Sequence, residues 1–199
     1  LIQIGGIGVM TFTSFFALSF MGKSSFTSKM MLKDMLNEDR TGGLFRVILN
    51  ILFVTLFIEG IGAYFIYMDV RGSLPGGTQQ ELFYAMFHAV SAFCNAGFDL
   101  LGVRTPFSSL TSYAANPVIN LTIMFLIVFG GIGFLTWDDI RTNRLHLRKY
   151  RLQSKVILCT TAVLLIAPAM YFYFFEFDDL TRKERLLSSL FQAVTPRTA

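Results

Sequence analysis

The sequence predicts an all-α integral membrane protein built from repeated units of span, short helix and span. Three observations carry this. Hydrophobic residues make up 53% of the 199 and charged residues only 15%, with a mean hydropathy of +0.55; a soluble domain carries roughly a quarter charged residues. Four apolar runs reach the ~20 residues that a helix needs to cross a bilayer. The basic residues gather in two linkers between those runs, where the positive-inside rule places them.

The runs follow in order. Leu1–Gly22 is uncharged, and Val47–Met68 carries Glu59 alone. The stretch 105–137 is uncharged, and its helix is expected to start at Asn116-Pro117, with Asn as N-cap and Pro at the first helical position. Val156–Phe175 is uncharged and holds Pro168, which should kink it. Two further apolar runs, Leu82–Phe98 and Leu186–Pro196, are short and read as a core helix or a re-entrant segment rather than a span. The chain opens at Leu1 inside an apolar run, so it is expected to be the middle of a longer protein.

Charge assigns the sides. Linker 23–46 carries Lys23, Lys29, Lys33, Arg40 and Arg46; linker 138–155 carries Arg141, Arg144, Arg148, Lys149, Arg151 and Lys155. Both are expected to be cytoplasmic. They share a side only if Leu82–Phe98 enters and leaves on the outer face. Within the first linker, Phe26, Met30, Met31 and Met35 fit an amphipathic interfacial helix over Ser25–Leu36, or an irregular polar linker. The net charge of +4 is accounted for by these linkers and calls for no nucleic acid. Cys94 and Cys159 lie at unrelated spacing and make neither a disulfide framework nor a metal site.

The chain also repeats itself. "LIQIGGIGVMTF" at 1–12 and "LIVFGGIGFLTW" at 126–137 agree at seven of twelve positions. "RVIL" at 46–49 resembles "KVIL" at 155–158, and "TQQE" at 78–81 resembles "TRKE" at 181–184; the last two fit a capping box. "FHAV" at 87–90 matches "FQAV" at 191–194. The order is parallel: basic linker, span, capped short helix, small-residue turn, span with GGxG. These glycines lie inside apolar runs with no strand before them, so they read as close helix packing rather than a phosphate loop.

Non-helical backbone is tolerated at membrane depth only when protein buries it or when it lines a water-filled path. A short helix entering from outside aims its partly negative C-terminus at the membrane centre. The turn that climbs back presents carbonyl oxygens able to replace an ion's hydration shell. Gly97 frees that turn from the Cβ penalty. No Lys or Arg occurs in Leu82–Phe98, as a cation path requires.

"FHAVSAFCNAGF" at 87–98, "FQAVTPRTA" at 191–199, "LIQIGGIGVMTF" and "IEGIGA" at 58–63 resemble the Trk/Ktr/HKT superfamily of potassium transporters, with the Ktr-type membrane subunit the nearest pattern. The resemblance covers the whole chain. It implies a potassium-channel-like, pseudo-fourfold arrangement of four repeats around one selectivity filter in a multi-pass protein of the cell membrane. On that pattern, 1–22 is the second span of repeat one, 23–46 a linker and 47–137 repeat two. Within repeat two, 47–68 is a span, 79–98 the pore helix and filter, and 117–137 a span. Residues 138–155 are a linker, and 156–199 the first span and pore helix of repeat three.

The resemblance also implies potassium uptake, often sodium-dependent, by a homodimer in membrane lipid. That dimer would be seated on a ring of cytosolic nucleotide-binding regulatory subunits (KtrA-like), so nucleotide enters only through that partner. By position it makes Cys94, Asn95, Ala96, Gly97 and Phe98 the second filter strand, and Thr195, Pro196, Arg197, Thr198 and Ala199 the opening of the third. No enzyme activity is expected.

His88 is expected to be a hydrogen-bonded residue supporting the filter. Glu59 is either a functional intramembrane acid or a brace for the pore loop. Arg197 is expected to point away from the ion path and pair with an acid, Glu59 being the candidate. Two alternatives stand beside this reading. An ion-coupled secondary transporter of another solute would favour inverted repeats. A membrane enzyme using His88 and Cys94 would need them on one face, and their spacing sets them about 240° apart around a helix.

Overall fold

The computed structural model describes residues 1–7, 44–73, 76–101, 109–144 and 146–197. The helix expected over Ser25–Leu36, most of the run Leu1–Gly22, and Thr198 and Ala199 lie outside them. Among the described residues there are seven α-helices and no strand. The chain divides into two compact units, Leu1–Ile58 and Glu59–Ala199. In the first, α1 covers Ile2–Ile7 and α2 begins at Leu44.

Helix α2 covers Leu44–Val70, and its stretch Leu49–Val70 is long and apolar enough to cross a membrane. Those 22 residues extend about 33 Å against a hydrocarbon core of ~30 Å. In the second unit, α3 (Gly77–Phe93) packs chiefly on α4 (Pro117–Ile132). Helix α6 (Leu152–Tyr171) packs on α7 (Arg182–Val194), and α4 also meets α7.

Helix α4 begins as the Asn-Pro pair dictates. The Asn116 side chain accepts from the N–H groups of Val118 and Ile119, with Pro117 in the first turn. Asn116 Nδ2 also donates to Asp69 Oδ2 at 2.5 Å, tying the start of α4 to the end of α2. Buried Asn120 donates to the carbonyls of Tyr113, Ala114 and Asn116, so the loop before α4 is closed from inside the helix.

The helix over the apolar run 117–137 ends earlier than that run does. Gly133 adopts φ 84° and ψ 152°, which a side chain disfavours, and the chain turns by 94° into α5 (Phe134–Asn143). Breaking the helix frees the Phe129 carbonyl, and Trp137 Nε1 donates to it at 3.0 Å. The indole also stacks on the Phe129 ring, with centroids 3.6 Å apart.

The basic linker 138–155 is folded too. Buried Asp139 accepts from Ser154 Oγ (2.5 Å) and Arg151 N (3.1 Å), which caps the start of α6. The Tyr150 hydroxyl donates to the Arg144 carbonyl. Pro168 does not end α6; the backbone continues through it and widens to a π-helix over Phe172–Glu176. Inside a helix a proline removes one backbone donor, and the wider turn closes with Phe177 N on Phe172 O at 3.2 Å.

The two capping boxes differ from expectation. Thr181 caps α7, but its hydroxyl donates to Glu184 Oε2 (2.7 Å) rather than serving the backbone. Thr78 lies inside α3, which starts one residue earlier after Gly76 in a left-handed conformation. Glu81 is buried and accepts instead from Gly72 N at 2.6 Å, closing the turn after α2.

Replacing Asn116 with Ala should cost about 1 kcal/mol or more, because an N-cap is lost together with the Asp69 contact. The measure is a lower unfolding midpoint of detergent-solubilised protein; Asn116→Asp should recover the cap but not the Asp69 contact.

Candidate functional site

The predicted site centres on the end of α3. From Leu82 to Phe93 this helix is uncharged, and its twelve residues extend about 18 Å, too short to cross. One face, comprising Tyr84, Ala85, His88, Ala89, Ser91, Ala92 and Phe93, is buried.

The helix closes in a Schellman motif. Asn95 takes the left-handed conformation at φ 52°. Ala96 N donates to Ser91 O (2.9 Å), and Asn95 N to Ala92 O (3.1 Å). Cys94 N donates to Val90 O (2.9 Å), so the last carbonyls of the helix are largely used internally. The backbone then turns again at Gly97, φ 71°. Ser91 Oγ donates to Phe98 O at 2.7 Å, binding the returning strand to its own helix. Among the hydrogen bonds between described residues, none ends on the carbonyl oxygens of residues 94–97.

His88 holds the strand one step further on. Its Nε2 accepts from Leu100 N (3.3 Å), which leaves Nδ1 as the protonated nitrogen, donating to Tyr84 O (2.7 Å). Both ring nitrogens are thereby engaged and the imidazole is neutral. Cys94 Sγ points elsewhere, to Glu59 Oε1 at 3.9 Å. The two residues of the enzyme alternative thus have separate partners.

Helix α4 provides the seat. A Cβ on Gly130 would lie 1.8 Å from the Phe93 carbonyl oxygen, so only glycine lets α4 meet the end of α3 this closely. A Cβ on Gly131 would lie 3.2 Å from Arg197 Nη2 and 3.7 Å from Asn95 Nδ2. With its amide oriented to satisfy both ends, Asn95 donates to Ile127 O and accepts from Gly131 N, each at 3.3 Å. A Cβ on Gly62 of α2 would lie 2.7 Å from the Leu126 Cδ1 atom, a side-chain rather than a backbone neighbour.

At the end of α7 the expected third strand does not begin as extended chain. Thr195–Arg197 continue the helix as a 3-10 turn, with Thr195 Oγ1 on Phe191 O at 2.7 Å. Pro196 is exposed, and the Arg197 guanidinium packs on Gly131 with Nη1 buried. A cavity of about 410 Å³ separates this end from the other, bordered by His88, Ser91, Gly97, Asp99, Gln192 and Thr195 among others. The site therefore joins Cys94–Phe98, His88 and Glu59 around one helix end and places Arg197 against α4. Ser91 was absent from the sequence-based set, although a hydroxyl seven residues before Phe98 on a short helix is a readable signal. Among the described residues, no cluster of His, Cys, Asp or Glu could hold a metal ion.

Gly130→Ala should destabilise the fold by about 1–3 kcal/mol, the usual cost of overpacking, because backbone rather than a flexible side chain blocks the new methyl. Gly131→Ala should cost less, since the Arg197 guanidinium can shift. Thermal denaturation of the two variants in detergent checks this order.

Comparison with known proteins bears on what this arrangement is for. The family model described as TrkH, cation transport protein, matches residues 1–199. The potassium/sodium uptake protein NtpJ of Enterococcus hirae is 37% identical across the whole chain. The Ktr system potassium uptake protein B is 34% identical in Bacillus subtilis and 32% in Vibrio alginolyticus, again across the whole chain. In each case the chain spans 44% of the relative's length. With apolar helices able to cross a membrane and a match over its full length, this chain is a membrane protein of the TrkH family of cation transport proteins, a family of transporters and not of enzymes.

Proposed function

We propose that the protein takes up potassium across the cell membrane through a selectivity filter of backbone carbonyls, to which Cys94, Asn95, Ala96 and Gly97 contribute one strand. The observation that carries this is the run of four main-chain carbonyls without a described internal donor, at the end of a helix too short to span. Such groups are tolerated at membrane depth only beside protein or a polar path, and carbonyl rings are the established solution for replacing potassium's hydration shell. Phe98 anchors the strand through Ser91, His88 supports it from behind, and Glu59 braces it near Cys94.

In this reading the chain supplies parts of three of four pseudo-equivalent repeats, with Thr195–Ala199 opening the third filter strand and Arg197 held off the ion path. The relatives' names support potassium as the cargo, and the name of NtpJ supports sodium as a second ion. A homodimer and a cytosolic nucleotide-binding regulatory ring complete the proposal.

The test is rubidium uptake into potassium-depleted cells carrying the full-length parent protein, wild type beside Gly97→Ser. Wild type should restore uptake. The variant forces a side chain onto φ 71° and should admit more sodium or lose rubidium preference. Accumulation of another solute without rubidium would contradict the filter.

A further inference from the structure

We infer that the groove between α6 and α7 binds one phospholipid of the outer leaflet, its acyl chain lying in the groove and its phosphate on Arg182 and Lys183. The inference rests on the chain's place in a membrane and not on the filter. The groove has a volume of about 340 Å³, within the ~300–1,000 Å³ of small-molecule sites. Ala169 and Ser189, two small buried residues, form its floor. Ser189 Oγ donates to Arg185 O of its own helix at 2.7 Å, so that hydroxyl proton is already used. Ile166, Met170, Leu186 and Leu190 form the walls, and all four are exposed.

Depth and wall chemistry point to an acyl chain. The lining runs from Leu165 to Phe174, about 14 Å at ~1.5 Å per residue, or half of a ~30 Å hydrocarbon core. Helix α6 leaves the basic linker 138–155, whose side is cytoplasmic by the positive-inside rule, so the groove near its far end falls in the outer leaflet. A partner helix would run the full depth, and helices in membranes meet through small residues rather than walls of Leu, Ile and Met.

The matching face of α2 and α3 shows that a following span would leave the groove open. The register of RVIL on KVIL pairs Met170, Tyr173 and Phe174 with Ile61, Tyr64 and Phe65; that of FHAV on FQAV pairs Leu186 and Leu190 with Leu82 and Met86. Helix α4 is in place beside α3, and these matched side chains are exposed all the same.

The mouth supplies the headgroup contact. Arg182 and Lys183 stand four and three residues before Leu186, on the face of α7 that borders the groove. Both are exposed, and among the described residues no hydrogen bond or ion pair engages either side chain. Glu184, two residues before Leu186, faces elsewhere and accepts from Thr181 Oγ1. Of the loop acids Glu176, Asp178 and Asp179, Asp178 is paired with Arg185 at 3.0 Å. Arg185 also donates to Tyr173 O and lies 4.8 Å from the centre of the Tyr173 ring, which holds that ring at the outer end of the groove. Two cations above an apolar slot match a phosphate above an acyl chain, each contributing roughly fivefold in affinity.

The experiment titrates the full-length parent, purified in mild detergent, with palmitoyl-oleoyl phosphatidylglycerol and counts bound lipid by native mass spectrometry. Dioleoylglycerol, which lacks the phosphate, and glycerol phosphate, which lacks the chains, are titrated beside it. Wild type should hold one phosphatidylglycerol per subunit ahead of further copies, dioleoylglycerol about tenfold more weakly, and glycerol phosphate not at all. Arg182→Gln with Lys183→Gln should weaken phosphatidylglycerol about tenfold, whereas Arg182→Lys with Lys183→Arg should keep it. Met170→Trp, which fills the groove from an exposed position, should displace the lipid without lowering the unfolding midpoint of lipid-free protein. Leu190→Trp fills it from α7 and gives the same reading if Met170→Trp does not fold. Lipid affinity that neither the charge variant nor a groove-filling variant changes would overturn the site. So would glycerol phosphate bound as tightly as the lipid. Subunit dissociation by Met170→Trp with lipid binding unchanged would give the groove to a second copy of the chain and overturn it too.

Discussion

A helix end leaves main-chain carbonyls with no partner inside the helix, and the rest of this structure depends on how α3 meets that constraint. The Schellman motif uses the carbonyls of Val90, Ser91 and Ala92 within the turn itself. The Phe93 carbonyl is pressed against Gly130, where no side chain could stand. What remains is the short segment 94–97, on whose carbonyl oxygens no hydrogen bond ends among the described residues. Its position is fixed by Ser91 on Phe98, by His88 on Leu100 and by Asn95 against α4. Each of these tethers joins a side chain to backbone other than the carbonyls at 94–97.

The seat that receives this helix end is itself shaped by glycine. The α4 diglycine approaches the backbone of α3 at one residue and the Arg197 guanidinium at the next. Helix α4 thus contacts the end of one short helix and the turn after the next. That geometry gives physical sense to GGxG: two glycines for approach, and a third, Gly133, for the break into α5. The indole of Trp137 then satisfies the carbonyl that the break exposes. The folded elbow beyond, held by buried Asp139, fixes α5 against the start of α6.

Much of this was legible in the sequence. The apolar runs, the Asn116-Pro117 start and the short uncharged helix before Asn95-Ala96-Gly97 follow from hydropathy and turn chemistry. The family resemblance held over the full chain. Other features were hidden because they depend on which atoms meet in space. The TxxE pattern at 78–81 is a capping box in one dimension, but Gly76 and Gly77 start the helix earlier and Glu81 serves Gly72 instead. The end of α4 at Ile132 could not be read from an uninterrupted apolar run, because the break relies on Trp137 reaching back eight residues. The basic linker was read only for its charge, because nothing in its composition marks Asp139 as the buried acceptor for Ser154.

In the proposed function the ion meets main-chain oxygens of residues 94–97 rather than a side-chain site. Anomalous diffraction from rubidium-soaked crystals of the full-length parent tests it most directly. The account predicts rubidium density bonded to those carbonyl oxygens, beside the equivalent strands of the other repeats. Density centred on the Glu59 carboxylate, with none along the strand, would contradict it.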